Sequence, residues 1–203
     1  MSVHVGTSGW SYGHWHGELY PHGGLPHDRL AQYVREFSTV ELNASFYRWP
    51  RREAFASWRR RLPPGFRLSV KAPRGRRDDA RLDYFPGRVP WWIRVEVEMR
   101  HPSWHTDDVD ALLARHGAAY CVMSGAHLPC RPRVTAPFAY VRLHGPDHHH
   151  LYGGSYSDAD LAWWADRMRE WAASGTEVFA YFNNDGDANA VRNARTLRRM
   201  LAA

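Results

Sequence analysis

From Val3 to Leu201, short strand-like runs alternate with helix-like runs, and few architectures accept that rhythm. Strand-like runs cover 3–7, 40–46, 66–72, 92–99, 118–123, 138–144 and 178–182, which makes seven. The first helix is expected over 28–37, where Leu30, Tyr33, Val34 and Phe37 form one apolar stripe. A second runs from about Arg52 to Leu62, with Phe55, Trp58 and Leu62 on one side, and Pro63-Pro64-Gly65 stops it. After an unpatterned arginine-rich stretch, 73–81, a short helix is expected before Pro90. Thr106-Asp107-Asp108 opens a helix over 106–116, suiting both the N-cap and the helix dipole. Ser157 and Asp160 open a longer one like a capping box, with Leu161, Trp164, Met168 and Trp171 on its buried face. A closing helix covers 188–201.

Strands separated by helices predict parallel β/α units. An open doubly wound sheet and a closed β/α barrel compete. No G-x-G-x-x-G follows the first strand and no G-x-x-x-x-G-K-[ST] occurs, which weakens the open sheet slightly. Alternate residues of a strand face opposite ways. Val40, Leu42 and Ala44 therefore oppose Glu41, Asn43 and Ser45, and Leu68 and Val70 oppose Ser69 and Lys71. Likewise Val95, Val97 and Met99 oppose Glu96, Glu98 and Arg100, and Val141 and Leu143 oppose Arg142 and His144. In the last strand Phe179, Tyr181 and Asn183 share a face, with less clear parity. Five strands thus place polar or ionisable residues near their C-terminal ends. Buried charges must pair or line a solvated pocket, and catalytic groups of β/α barrels sit at those ends. The convergent set is Glu41, Asn43, Lys71, Glu98, Arg100, His144 and Asn183. The competing reading is an internal salt-bridge network that fills the interior.

Composition bounds the rest. With 203 residues, one domain spanning 1–203 is expected, large enough to bury a core without disulfides. No apolar run approaches 18 residues and the N-terminus lacks a secretory pattern, so no membrane association and a cytoplasmic location are expected. Two cysteines without a C-x-x-C exclude a disulfide scaffold and a thiolate zinc site. The net charge is +6 and every cation except Lys71 is arginine, which draws anionic partners, a small molecule or nucleic acid. A coding bias towards arginine explains the same basicity.

The same residues carry a family resemblance. In order along the chain stand VGTSGWSYGHWHGELYP, TVELNASFYRWP, FRLSVKAPR, VEMRHPSW, YVRLHGP, LYGGSYSD and YFNND followed by AVRNA. Together they resemble the YecE-like proteins, the family built on domain of unknown function 72, across nearly the whole chain. The resemblance implies a TIM-like β/α barrel but carries over no established reaction. The sequence departs from the family pattern after VKAPR. There the family has a helix and a further strand ending in a phrase like LFQLPP, whereas here Arg74-Gly75-Arg76-Arg77-Asp78-Asp79 leads almost directly to the helix before VEMRHPSW. The expectation is a single-domain α/β protein, a TIM-like barrel of seven strands with one β/α unit missing. A gap there exposes strand edges and invites a homodimer across it.

Three chemistries compete. The favoured one is metal-free acid/base catalysis, of hydrolase or lyase type, on an anionic, phosphate-bearing substrate. Glu41 or Glu98 would serve as general base, His144 as acid, and Lys71 as a further catalytic group. Arg100 and Arg142 would clamp the anion. Asn43, Tyr47, His101, Tyr152, Asn183 and Asn184 would orient or cover the substrate, with Trp10 and Trp104 as further aromatic cover. The second is a metal-dependent phosphodiesterase or hydrolase, with Glu41, Glu98, His101 and His144 as ligands and His14 and His16 nearby; Lys71 and Arg100 argue against a cation, so no cofactor is expected. His148-His149-His150 reads as a solvated loop. The third is a non-catalytic nucleic-acid binder using Arg48, Arg51, Arg52 and Arg59–Arg61, interleaved with Trp49 and Trp58.

Overall fold

The structure, a computed structural model, describes residues 2–42, 62–63, 67–70, 79–84 and 94–203. Five strands form one parallel sheet: β1 (Val3–Thr7), β4 (Glu96–Val97), β5 (Ala119–Ser124), β6 (Phe138–Leu143) and β7 (Glu177–Phe182), in the order β1-β7-β6-β5-β4. Two more, β2 (Thr39–Leu42) and β3 (Arg67–Val70), pair in parallel as a separate ladder. A single bridge, Ser8 to Glu41, ties that ladder to the end of β1, and Gly9 N–H donates to the Glu41 carbonyl at 2.8 Å. All seven described strands run parallel, and among the described residues β3 and β4 do not pair, so the sheet is not closed there. The described helices are α1 (Arg29–Glu36), α2 (Asp79–Tyr84), α3 (Asp107–Arg115), α4 (Asp158–Ala173) and α5 (Asn189–Ala202).

The two faces of the sheet differ as strand alternation requires. Ala139, Val141 and Leu143 of β6 and Val178, Ala180 and Phe182 of β7 pack with Leu161, Trp164 and Met168 of α4 and Val191, Ala194 and Leu197 of α5. Each Val, Leu, Met or Phe among these, withdrawn from water, contributes roughly 1.5–3 kcal/mol. The opposite face gathers Ala119, Cys121, Met123, Phe138, Tyr140, Phe179 and Tyr181 into a second cluster. Small residues of β5 lie beside the large rings of β6 and β7, whose Tyr140 and Tyr181 ring centres are 5.1 Å apart.

Local chemistry sets the ends of the elements. The Ser157 hydroxyl accepts from Asp160 N–H at 3.2 Å while Asp160 accepts from Ser157 N–H at 3.0 Å, the reciprocal cap that starts α4. Tyr33 of α1, fully buried, accepts from Thr7 N–H and donates to the Thr39 carbonyl, both at 3.0 Å, so one phenol pins β1 and β2 together. Gly6 is required at that seam: a Cβ there would run into the Thr39 carbonyl oxygen.

The expected elements differ from the observed ones mainly in extent. The strand expected over 92–99 is described only at 96–97, and that over 40–46 ends its described part at Leu42. Most of the helix expected over 52–62, with its arginine patch, lies outside the described residues. Trp171 is only partly buried on α4.

Candidate functional site

The face of β6 turned away from α4 and α5 carries Tyr140 and Arg142, and the chain continues to His144 just beyond the strand. Arg142 is fully buried. Its Nη2 donates to Glu41 Oε2 at 2.6 Å and to Ser8 Oγ at 3.0 Å, and its Nη1 donates to Glu98 Oε2. Burial opposes its charge, but Glu41 and Glu98 outweigh that and hold the guanidinium ionised well above its ordinary value. Glu41, at the bridge between β1 and β2, is buried too and accepts from Ser8 Oγ and, at 2.8 Å, from Tyr140 Oη. Burial and then the Glu41 carboxylate push the Tyr140 phenol well up, so it stays a donor. Thr39 and Tyr181 share a further hydroxyl bond at 2.6 Å nearby.

From Glu98 the chain of contacts turns outward. Arg100 Nε donates to Glu98 Oε1 at 2.7 Å; the Arg100 side chain is 22% exposed and that of Glu98 3%. Arg100 Nη2 donates to Tyr152 Oη at 3.1 Å. The Tyr152 ring stands edge-on to the His144 ring at 5.4 Å, and Asn183 Nδ2 donates to His144 Nδ1 at 3.1 Å. As assigned, that bond makes Nδ1 the acceptor and puts the His144 proton on Nε2. His144 is fully buried beneath this cover. Tyr152 is 39% exposed and holds φ at 76°, an uncommon conformation for a bulky side chain. Strain of this kind persists only where surrounding structure imposes it, and such residues cluster at binding sites and lids.

Seven sequence-selected residues therefore form one continuous contact path: Glu41, Arg142, Glu98, Arg100, Tyr152, His144 and Asn183. Two others do not join it. The His101 ring bonds Ser103 Oγ at 2.8 Å and caps the short 3-10 turn Pro102–Trp104, exposed to solvent. Asn184 is fully buried but turned away, its Nδ2 donating to the Gly154 carbonyl at 3.0 Å and to Asn193 Oδ1 at 2.8 Å; it anchors the loop carrying Tyr152. Arg142 also departs from its expected role. Its terminal nitrogens are spent on Glu41, Glu98 and Ser8, so it organises the interior and does not reach a substrate. Glu41, sealed under three donors, is likewise unsuited to act as a base. Asn43, Tyr47 and Lys71 lie outside the described residues.

Tyr140 was not selected from sequence, although β6 alternation places it on the face of Arg142. A second polar cluster follows β7, where Asp185 accepts from Trp15 Nε1 at 2.7 Å and pairs with His14 Nε2 at 3.1 Å. Burial pushes the Asp185 carboxyl above its ordinary value. Nothing in the strand pattern pointed to it, because Asp185 lies past the strand end and its partners come from a distant loop. Among the described residues, no group of three or more His, Cys, Asp or Glu side chains is placed to share a metal ion. No described helix is long and apolar enough to cross a membrane.

Comparison with known proteins bears on the fold. A DUF72 family protein from Thermotoga maritima MSB8 aligns over the whole of both chains at 24% identity with a TM-score of 0.85. Two crystal structures of a DUF72 family protein from Enterococcus faecalis V583 align over 99% of this chain at 16% identity; they cover 96% and 98% of their own chains, with TM-scores of 0.79 and 0.78. At these identities the likeness speaks for the fold alone. No curated protein matches the chain. The family model described as "Protein of unknown function DUF72" matches residues 4–82 and 75–203, two segments that meet where the sequence departs from the family pattern, and the chain belongs to that family.

Proposed function

We propose that the protein is an enzyme that binds an anionic, phosphate-bearing substrate at the C-terminal ends of its strands and performs metal-free acid/base chemistry on it. The supporting observation is the buried charge path that surfaces at Arg100. A charge network that only filled the interior would end inside, with every guanidinium sealed like Arg142. Here the last guanidinium is part-exposed, braced from behind by Glu98, and capped by a strained tyrosine that also covers a histidine. Glu98 fixes the Arg100 fork, which can still offer donors to a phosphate or carboxylate. His144, held by Asn183 as the neutral Nε2–H tautomer, is set to donate a hydrogen bond that polarises a substrate oxygen once Tyr152 moves aside. It becomes a general acid only when Nδ1 is protonated too and faces the Asn183 amide oxygen. Trp10 and the pair His14 and Asp185 come from the loops after β1 and β7 and extend the polar rim. Residues beyond the described set, Lys71, Asn43 and Tyr47, are proposed to complete it.

The architecture that suits this reading is a β/α barrel of TIM type lacking one unit, with staves in the order 3-2-1-7-6-5-4 and an opening between the third and fourth. The parallel, consecutive neighbours favour it, and so does the meeting of the two family-matched segments near residues 75–82. The reading is tested by calorimetric titration of inorganic phosphate and a labelled oligonucleotide into wild type and Arg100→Ala at low and physiological salt. Phosphate affinity is expected to fall about tenfold on loss of one charged hydrogen-bonding group. Equal phosphate binding by both proteins would sink the proposal. Oligonucleotide binding that survives physiological salt and depends on Arg100 would turn it towards a nucleic-acid substrate.

A further inference from the structure

A groove of about 900 Å³ runs alongside α5, between it, β1 and the end of α1. It reaches Val3 at the start of β1 and Ser38 just before β2, and so lies towards the N-terminal ends of the strands, away from Arg100 and His144. Val3 and Val5 form part of its floor, and four arginines of α5 line it: Arg192, Arg195, Arg198 and Arg199. Spacings of three and four residues put them on neighbouring rows of one helix side. The facing carboxylates are Glu36 in the lining and Glu18 beyond it, so two positive charges are left over.

The four are not equivalent. Arg195 grips Glu36 with two nitrogens, Nη2 to Oε2 at 2.7 Å, and Arg192 Nη1 donates to Glu18 at 2.8 Å. These two fasten α5 to α1 and to the loop after β1. Arg198 spends one nitrogen on the Glu36 carbonyl at 2.6 Å and lies over the Phe37 ring at 5.4 Å; Arg199 spends one on Thr196 Oγ1 at 3.0 Å. A guanidinium carries five N–H donors. Arg198 and Arg199, both exposed, therefore keep donors for a ligand.

We infer that this groove binds a small polyphosphate-bearing molecule, the class that includes inorganic pyrophosphate and nucleoside polyphosphates. Both guanidinium groups line the groove, and each offers a fork suited to phosphate oxygens. The volume falls within the range of small-molecule pockets, roughly 300–1,000 Å³. Among the described residues the lining offers no aromatic face on which successive bases would stack, which separates it from a single-strand binding channel. The C-terminal end of α5 carries about half a negative charge, and two full positive charges outweigh it.

The test is calorimetric titration of pyrophosphate into the full chain at physiological salt. The expected result is a saturable site that persists in Arg100→Ala, weakens about tenfold in Arg199→Ala and in Arg198→Ala, and is unchanged in Arg167→Ala on the exposed side of α4. Arg199 bonds only within its own helix, so its loss leaves the fold intact, which an unchanged melting temperature verifies. No binding to wild type, or equal binding in both groove variants, overturns the inference. Loss in Arg100→Ala alone also overturns it, while supporting a strand-end phosphate site. A single-stranded oligonucleotide that binds more tightly than pyrophosphate with the same Arg199 dependence replaces the small molecule with a phosphodiester chain.

Discussion

Arg142 is charged at zero exposure because two carboxylates meet it, and removing such a partner costs more than the assembled group contributes. Arg142→Ala strands Glu41 in the interior, while Glu98 keeps Arg100, and is expected to destabilise by about 3–5 kcal/mol, lowering the melting temperature by about 10 °C. Calorimetry that found less than a third of this loss would mean that water reaches the cluster. Tyr140→Phe removes one donor to Glu41 and should cost about 1–2 kcal/mol. Arg100→Ala, at a part-exposed position, should cost under about 1 kcal/mol while weakening phosphate binding, so stability and ligand affinity separate between the two arginines.

At the scale of elements, the seam between β1 and β2 is a close backbone approach. Gly6→Ala should destabilise by several kcal/mol, because the methyl meets a carbonyl oxygen that the Tyr33 bridge prevents from retreating. Ser157→Ala removes half of a reciprocal cap and should cost about 1 kcal/mol, readable by denaturant titration. In the loop before Tyr152, backbone N–H groups of His149 and then His150 hold the Asp147 carboxyl down to about 2. A carboxyl depressed on folding stabilises above its unfolded value near 3.8 and loses that contribution as pH falls towards 2. The amides of His149 and His150 should therefore gain exchange protection between pH 2 and pH 4, as hydrogen exchange would show. How far sequence reached is also a matter of elements. Strict alternation made Arg142, Glu98 and Glu41 legible, since a strand has only two faces. Past the end of β7 the period runs on for two residues, Asn183 on the face of Tyr181 and Asn184 towards Asn193 of α5, whereas His101 leaves it to cap a 3-10 turn. The contacts of Asp185 were illegible because they join residues about 170 positions apart.

Over the whole molecule, the +6 charge gives a general attraction for polyanions that screening removes within a Debye length of about 8 Å at physiological salt. Binding of a random oligonucleotide should accordingly fall steeply between low and physiological salt, with the same slope in wild type and Arg100→Ala; a different slope would give Arg100 a share in phosphodiester contact. The charge inside the sheet follows other rules. Arg142 on β6 joins Glu41 on β2 to Glu98 at the end of β4, and neither of those strands is its neighbour. Losing Arg142 alone strands Glu41, whereas losing Glu98 alone leaves a neutral Arg142–Glu41 pair, so a lineage leaving this interior cannot shed the arginine first. Arg142 and Glu41 are inherited as a pair: a descendant that has lost the arginine should have lost Glu41 as well, and one that retains Glu41 should have placed a new cation within reach of it, while Glu98 can persist on Arg100.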